Sequence, residues 1–179
     1  MLKIITVPHP LLTQESKPVP TIDKRIKKLV KEMEETLDAQ KNPEGVGLSA
    51  PQIAQSLALF IVKHPSDKKL ITFINPEILE CETVKRTKTE QEEYEDSSLE
   101  GCLSIPLIWA PVTRFDKVKV KFTDIHGKIH EEWFTGFMSV VVQHEYDHLK
   151  GILFTQRALE QGQPIYKEVN GKLKEIEYA

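Results

Sequence analysis

The sequence predicts an α+β fold in which antiparallel sheets pack around a central helix carrying an HExxH motif. Three observations support this class. Apolar residues recur at helical spacing over residues 21–40 and again over 137–150, while shorter apolar or alternating runs between 57 and 134 are typical of strands. An Asn-Gly pair adds a C-terminal β-hairpin, and the length of 179 residues calls for one domain, 1–179.

An N-terminal amphipathic helix is predicted from Thr21 to about Gln40, with Thr21 as its N-cap. Asn42-Pro43 is expected to end this helix just ahead of a glycine-rich turn. The apolar residues that share its predicted buried face are Ile22, Ile26, Leu29, Val30, Met33 and Leu37.

Buried strands are predicted at Leu57 to Val62 and at Ile71 to Ile74, the second of them closed by Asn75-Pro76. Apolar residues then alternate with lysines from Val118 to Phe122, which indicates a half-exposed strand with a return strand over Lys128 to Phe134. The acidic run from 90 to 96 is expected to be a solvated loop.

Charge, the N-terminal residues and the cysteines limit the partners and the location that are expected for the chain. A formal net charge of −3 gives no general field for nucleic acid or an anionic membrane, so direct binding to either is not expected. The first residues contain no long apolar run before Pro8, which predicts a cytoplasmic location, with an organelle matrix as the alternative. In such a reducing compartment Cys81 and Cys102 are expected to be separate thiols.

His144, Glu145 and His148 form the HExxH motif. Histidines four positions apart share one helix face, so both imidazoles can reach a single metal ion. Glu145 lies beside them without being a ligand, which leaves its carboxylate free to exchange protons with a water at the metal. The motif predicts a metal-dependent hydrolase, with an accidental match on an exposed helix as the alternative.

A catalytic metal site needs a third protein ligand, and Cys102 is the best candidate. It lies between Gly101 and a proline break, outside any regular periodicity, whereas Cys81 looks like an ordinary small residue at a strand end. A further histidine ligand remains possible among His9, His64, His126 and His130.

The turn from Gly45 to Gln52 is rich in small residues. No lysine follows its glycines and the dinucleotide pattern is absent, so nucleotide binding is not expected. Its backbone can approach a ligand closely, and Gln52 is a neutral donor for a developing oxyanion. The alternative interpretation is a plain turn in which Gln52 is solvated and has no role in binding.

Three segments, GVGLSAPQ at 45–52, EGCLSIP at 100–106 and QHEYDHLKG at 143–151, together resemble the signature motifs of peptide deformylases. The resemblance implies a single peptide deformylase-like domain that removes the N-formyl group from the formylmethionine of newly made proteins and releases formate. It implies one divalent metal ion, commonly Fe2+, with Zn2+, Ni2+ or Co2+ as substitutes. The partners would be nascent N-termini, near the ribosome.

The resemblance also implies a role for each site residue. The metal ligands would be Cys102, His144 and His148. The groups acting on the reacting amide would be Glu145, as general base and acid, and the oxyanion donors Gln52 and Leu103, the latter through its backbone N–H. Contacts with the substrate backbone or its first side chain would come from Val46, Gly47, Glu100, Phe137, Val140 and Val141.

Four features depart from the family pattern or lack a settled role. Trp109 lies in a region that often borders the substrate pocket in this family. Its large side chain either narrows the choice of substrate side chain or simply covers the core. Arg114 is expected to support the first loop through a carboxylate such as Glu44. The segment from Glu77 to Leu99 is longer and more acidic than in many members, and the C-terminal hairpin replaces the terminal helix of some.

Two rival interpretations stay open. An HExxH zinc endopeptidase would need a third histidine or glutamate downstream of His148, and the glutamates there form no matching pattern. A non-catalytic metal-binding or peptide-binding homologue would need neither Glu145 nor Gln52.

Overall fold

The computed structural model describes residues 1–41, 44–64, 66–84 and 99–177. Within these ranges two antiparallel sheets combine with three α-helices, which confirms the α+β class. The helices are α1 (Lys24–Asp38), α2 (Gly136–Leu149) and α3 (Phe154–Glu160). The strands are β1 (Gly47–Ser49), β2 (Leu59–Lys63), β3 (Leu70–Glu82), β4 (Leu99–Cys102), β5 (Ile105–Pro111), β6 (Lys117–Thr123), β7 (Ile129–Thr135), β8 (Tyr166–Val169) and β9 (Lys172–Glu175).

The larger sheet has the strand order β1-β2-β3-β6-β7, and the smaller sheet has the order β4-β5-β8-β9. The strand β1 is therefore one edge of the first sheet, and β4 is one edge of the second. In the described part of the chain, no helix is long and apolar enough to cross a membrane.

The N-terminal helix forms as predicted, but its N-cap is Asp23 rather than Thr21. The Asp23 carboxylate accepts hydrogen bonds from the backbone N–H groups of Arg25 and Ile26, at 2.8 and 3.0 Å. These donors have no partner inside the helix, so the residue that reaches them sets the first turn. The predicted stop at 42–43 lies outside the described residues.

The third strand is longer than predicted, because Asn75-Pro76 interrupts the strand without ending it. Asn75 has a left-handed backbone (φ 49°), and the pairing with β6 slips by one residue between Ile74 and Glu77. This bulge accommodates the proline, which has no N–H for the ladder. The Asn75 side chain accepts from Val19 N at 2.7 Å and donates to Val19 O at 2.9 Å, which ties the bulge to the N-terminal segment.

Both strand pairs that the sequence predicts are present. The strands β6 and β7 form the predicted antiparallel pair, and in β6 buried residues alternate with residues that are exposed or half-buried. At the C-terminus β8 and β9 form the hairpin, with Asn170 (φ 51°) and Gly171 (φ 72°) both left-handed as a two-residue turn requires. The acidic run at 90–96 lies outside the described residues.

The main core lies between the larger sheet and α2. The Phe73 ring is stacked on Phe60 at a centroid distance of 4.5 Å, and it also contacts Phe122 at 4.4 Å. Val141 and Val142 of α2 are buried in the same cluster. Valine is a poor helix former, so burial of this face overrides local propensity and fixes the helix against the sheet.

Replacing Phe73, which is fully buried, with alanine should lower the free energy of unfolding by about 3–5 kcal/mol, because the neighbouring rings cannot fill the cavity. The matched control is Ile129→Thr on β7, where the isoleucine is 62% exposed and the change should stay within about 0.5 kcal/mol. Urea denaturation followed by circular dichroism measures both. Similar losses in the two variants would contradict this description of the core.

Candidate active site

Cys102, His144 and His148 come together from two elements. Cys102 ends β4, and the two histidines lie one turn apart on α2. The Cys102 Sγ lies 3.2 Å from His148 Nε2, and the possible ligand atoms of all three residues lie within 4.8 Å of one another. Across the described residues this is the one group of three or more metal-ligating side chains found. The other histidines and the exposed Cys81 are outside it.

The electrostatics of this group favour a thiolate. Burial raises the pKa of the Cys102 thiol, but the imidazoles of His148 and His144 outweigh burial and bring the pKa well below its ordinary value. Burial lowers the pKa of the His144 imidazole. The neighbouring Cys102 and Glu100 outweigh burial, so the pKa of His144 lies well above its ordinary value. A negative sulfur between two imidazoles is a donor set for a divalent cation.

Glu145 lies next to these ligands, with one carboxylate oxygen unpaired. The residue is 4% exposed, and its Oε2 has no hydrogen-bond partner within the described chain. Its other oxygen packs against Gly47, where an added Cβ would lie 2.5 Å from Oε1. Burial raises the pKa of this carboxyl group. Because a buried polar atom without a partner is costly, the site fits a metal ion that brings a polar ligand to Oε2.

A buried ionic network supports His144. Glu100 Oε2 lies 2.7 Å from His144 Nδ1, which leaves Nε2 as the ring nitrogen available to a metal. Arg114 donates to both oxygens of Glu100, at 2.8 and 3.0 Å, and to Asp147 Oδ2 at 2.6 Å. Burial raises the pKa of Glu100, but Arg114 and His144 outweigh it and lower the pKa to about 2. Glu100 is therefore an anion at neutral pH.

This network corrects one expectation. Arg114 does not bridge to Glu44, whose carboxylate instead pairs with Lys68 at 3.2 Å on the surface. Asp147 also accepts from Arg157 of α3, at 2.8 and 3.0 Å. Sequence reasoning missed Glu100 and Asp147, the two carboxylates that Arg114 contacts among the described residues, because their spacing along the chain follows neither helical nor strand periodicity.

Gln52 presents its amide nitrogen to Cys102. Its Oε1 accepts hydrogen bonds from the backbone N–H and the hydroxyl of Ser49, at 2.8 and 2.9 Å. Because the backbone N–H can only donate, the Gln52 oxygen must face Ser49 and the NH2 group must face away. That nitrogen lies 3.4 Å from Cys102 Sγ and 3.3 Å from Ser104 Oγ.

A cavity of about 240 Å³ opens over these groups. It lies between β1 and β4, the edge strands of the two sheets. Every residue to which the family resemblance gives a role, except His148, contributes to its lining. Lining residues that were not predicted are Glu44, Gly45, Leu99 and Gly101. Gly45 and Gly101 belong to the first and second motifs, and Glu44 and Leu99 immediately precede those motifs, so these two motifs are the signal that points to all four.

Comparison with known proteins identifies the family of the chain. A sequence model of the polypeptide deformylase family matches residues 1–163. The peptide deformylase of Wolinella succinogenes is 39% identical over 163 residues, covering 88% of each chain. The crystal structure of the Thermotoga maritima peptide deformylase superimposes with a TM-score of 0.75 at 34% identity, covering 88% of this chain and 97% of that one. The peptide deformylase structure from Legionella pneumophila also gives a TM-score of 0.75, at 35% identity over 88% of this chain and 85% of that one. With this coverage and identity, the chain belongs to the peptide deformylase family.

Proposed function

We propose that the chain hydrolyses the N-formyl amide at the formylmethionine terminus of newly made proteins and releases formate. The observation that carries this proposal is the convergence of three groups in one cavity. A thiolate and two imidazoles form a metal site, the Gln52 amide points towards it, and the Glu145 carboxylate beside it has a free oxygen. Together these are the parts that amide hydrolysis needs.

Cys102, His144 and His148 would hold one divalent ion, and three protein ligands leave a coordination position for water or substrate. When bound, such an ion polarises a carbonyl and lowers the pKa of a water molecule. We infer Fe2+ as the resident ion, with Zn2+, Ni2+ or Co2+ able to replace it, since a soft sulfur and two imidazoles suit these metals. A thiolate ligand is also open to oxidation, so the enzyme needs oxygen-free handling.

Glu145 is assigned the proton transfers. Its unpaired Oε2 accepts the proton of the attacking water and then passes it to the leaving amine. Gln52, with its oxygen fixed by Ser49, donates an N–H to the oxyanion that forms from the formyl oxygen. We assign the second donor to the backbone N–H of Leu103, which follows Cys102 and also lines the cavity.

The substrate backbone is proposed to lie between the edges of the two sheets. Val46 and Gly47 border the cavity on one side, where an extended peptide can add as a strand. The first side chain enters among Phe137, Val140 and Val141, which are apolar. Glu100 forms part of that wall, but both its oxygens are engaged by Arg114 and His144, so we assign it to positioning His144. Acting on new chains would place the enzyme near the ribosome, in the cytoplasm.

The ligand assignment predicts a difference between the two cysteines. Cys102→Ala should weaken zinc affinity by more than the roughly 10–100-fold typical of removing a supporting residue, because a direct ligand is lost. Cys81→Ala is the matched control, since that thiol is exposed on β3 and should leave affinity unchanged. Competition with a chromophoric chelator measures both. Equal affinity in the wild type and Cys102→Ala would show that the ligand assignment is wrong.

The activity is tested with anaerobically purified, iron-loaded protein and a formyl-Met-Ala-Ser peptide, with released formate as the readout. Wild type should turn over the peptide, and Glu145→Gln should retain stoichiometric iron while kcat falls by about 10²–10⁴-fold, since its amide cannot accept the proton. No formate from wild type with iron bound would refute the proposed function. Full turnover by Glu145→Gln would refute only the assignment of the base.

A further inference from the structure

Trp109 lies at the boundary between two cavities. The first is the metal-site cavity described above, and the second, of about 260 Å³, is lined by residues that include Gln40, Ile108 and Glu168. Trp109 contributes to the lining of both, together with the end of β4 and the residue that follows it, from 101 to 103. The indole ring therefore forms part of the wall that limits the metal-site cavity on this side.

Two contacts fix the indole ring. Gly101 pairs with Trp109 across β4 and β5, and a Cβ at Gly101 would lie 2.7 Å from Trp109 Cζ3, so the ring packs directly on the glycine backbone. On its other side the indole Nε1 donates to Glu168 Oε2 at 3.1 Å. A ring with packing on one side and a hydrogen bond on the other keeps one orientation.

The second contact comes from the C-terminal hairpin. Glu168 lies on β8, which pairs with β5 in a register that places Tyr166 opposite Trp109. The family model ends at residue 163, ahead of both strands of this hairpin. The orientation of a cavity wall thus depends on an element outside the matched part of the chain.

We propose that Trp109 is a specificity-determining residue, with Glu168 as the positioning residue that holds its ring, and that the pair excludes bulky aromatic first side chains from the substrate. This inference rests on the proposed function. Replacing the indole of Trp109 with a small side chain would open the wall between the two cavities. A longer or wider first side chain of the substrate would then have space to enter. In pockets of this kind, small steric differences change selectivity by about 10–200-fold.

The kinetic test compares kcat/KM for formyl-Phe-Ala-Ser and formyl-Met-Ala-Ser in iron-loaded variants. Trp109→Ala should raise the Phe-to-Met ratio by about 10-fold or more, mainly through a lower KM for the Phe peptide. Glu168→Ala should raise the ratio by less, and Glu168→Gln should keep the wild-type ratio, because its amide oxygen still accepts from the indole. Glu175→Ala, on β9 of the same hairpin, is the control expected to change nothing. An unchanged ratio in Trp109→Ala would overturn the proposal.

A second readout is independent of turnover. The chain has two tryptophans, so Trp133→Phe assigns the indole N–H resonance of Trp109 in zinc-loaded protein. The product peptide Met-Ala-Ser should shift this resonance, and Glu168→Ala, unlike Glu175→Ala, should displace it in the free protein because the hydrogen bond is lost. A resonance that responds to neither would overturn the proposal. Failure of wild type to release formate, with the peptide still shifting the indole, would count against the proposed function alone.

Discussion

The buried contact of Arg114 with two carboxylates is the interaction on which the candidate metal site depends. Its guanidinium is bonded to Glu100 and Asp147, and neither carboxylate is exposed. Glu100 in turn contacts the His144 ring, while Asp147 immediately precedes His148 on α2. Removing one partner of such a network leaves a buried charge unpaired, which costs several kcal/mol. One arginine thus aligns the strand that ends at Cys102 with the helix that carries both histidines.

Two sets of contacts hold the polar side chains of the site. Behind the histidines, the Arg114 network fixes the orientation of the His144 ring, and Glu100, a member of that network, also contributes to the cavity wall. In front of them, Gly47 allows the Glu145 carboxylate to pack against β1, and Ser49 fixes the amide of Gln52. The short edge strand β1 therefore contacts both Glu145 and Gln52, so a regular strand rather than a flexible loop supports the two side chains.

Sequence reasoning succeeds where a feature is encoded locally. The HExxH spacing, the Asn170-Gly171 turn and the alternation in β6 each depend on neighbours within one element, and the structure contains all three. It fails where a partner is distant. The two carboxylates of Arg114 lie 14 and 33 residues away, so spacing does not reveal them, and Glu44 was the wrong choice. The bulge at Asn75 likewise cannot be predicted from the neighbouring residues, because the Asn75 side chain is hydrogen-bonded to Val19, 56 residues earlier.

Binding of one metal ion by Cys102, His144 and His148 together can be measured by X-ray absorption at the zinc edge of protein loaded with one equivalent of zinc. We predict one sulfur at about 2.3 Å, two imidazole nitrogens at about 2.0–2.1 Å, and a lighter ligand completing a four-coordinate shell. A first coordination shell without sulfur, or with more than two imidazoles, would contradict this set of ligands.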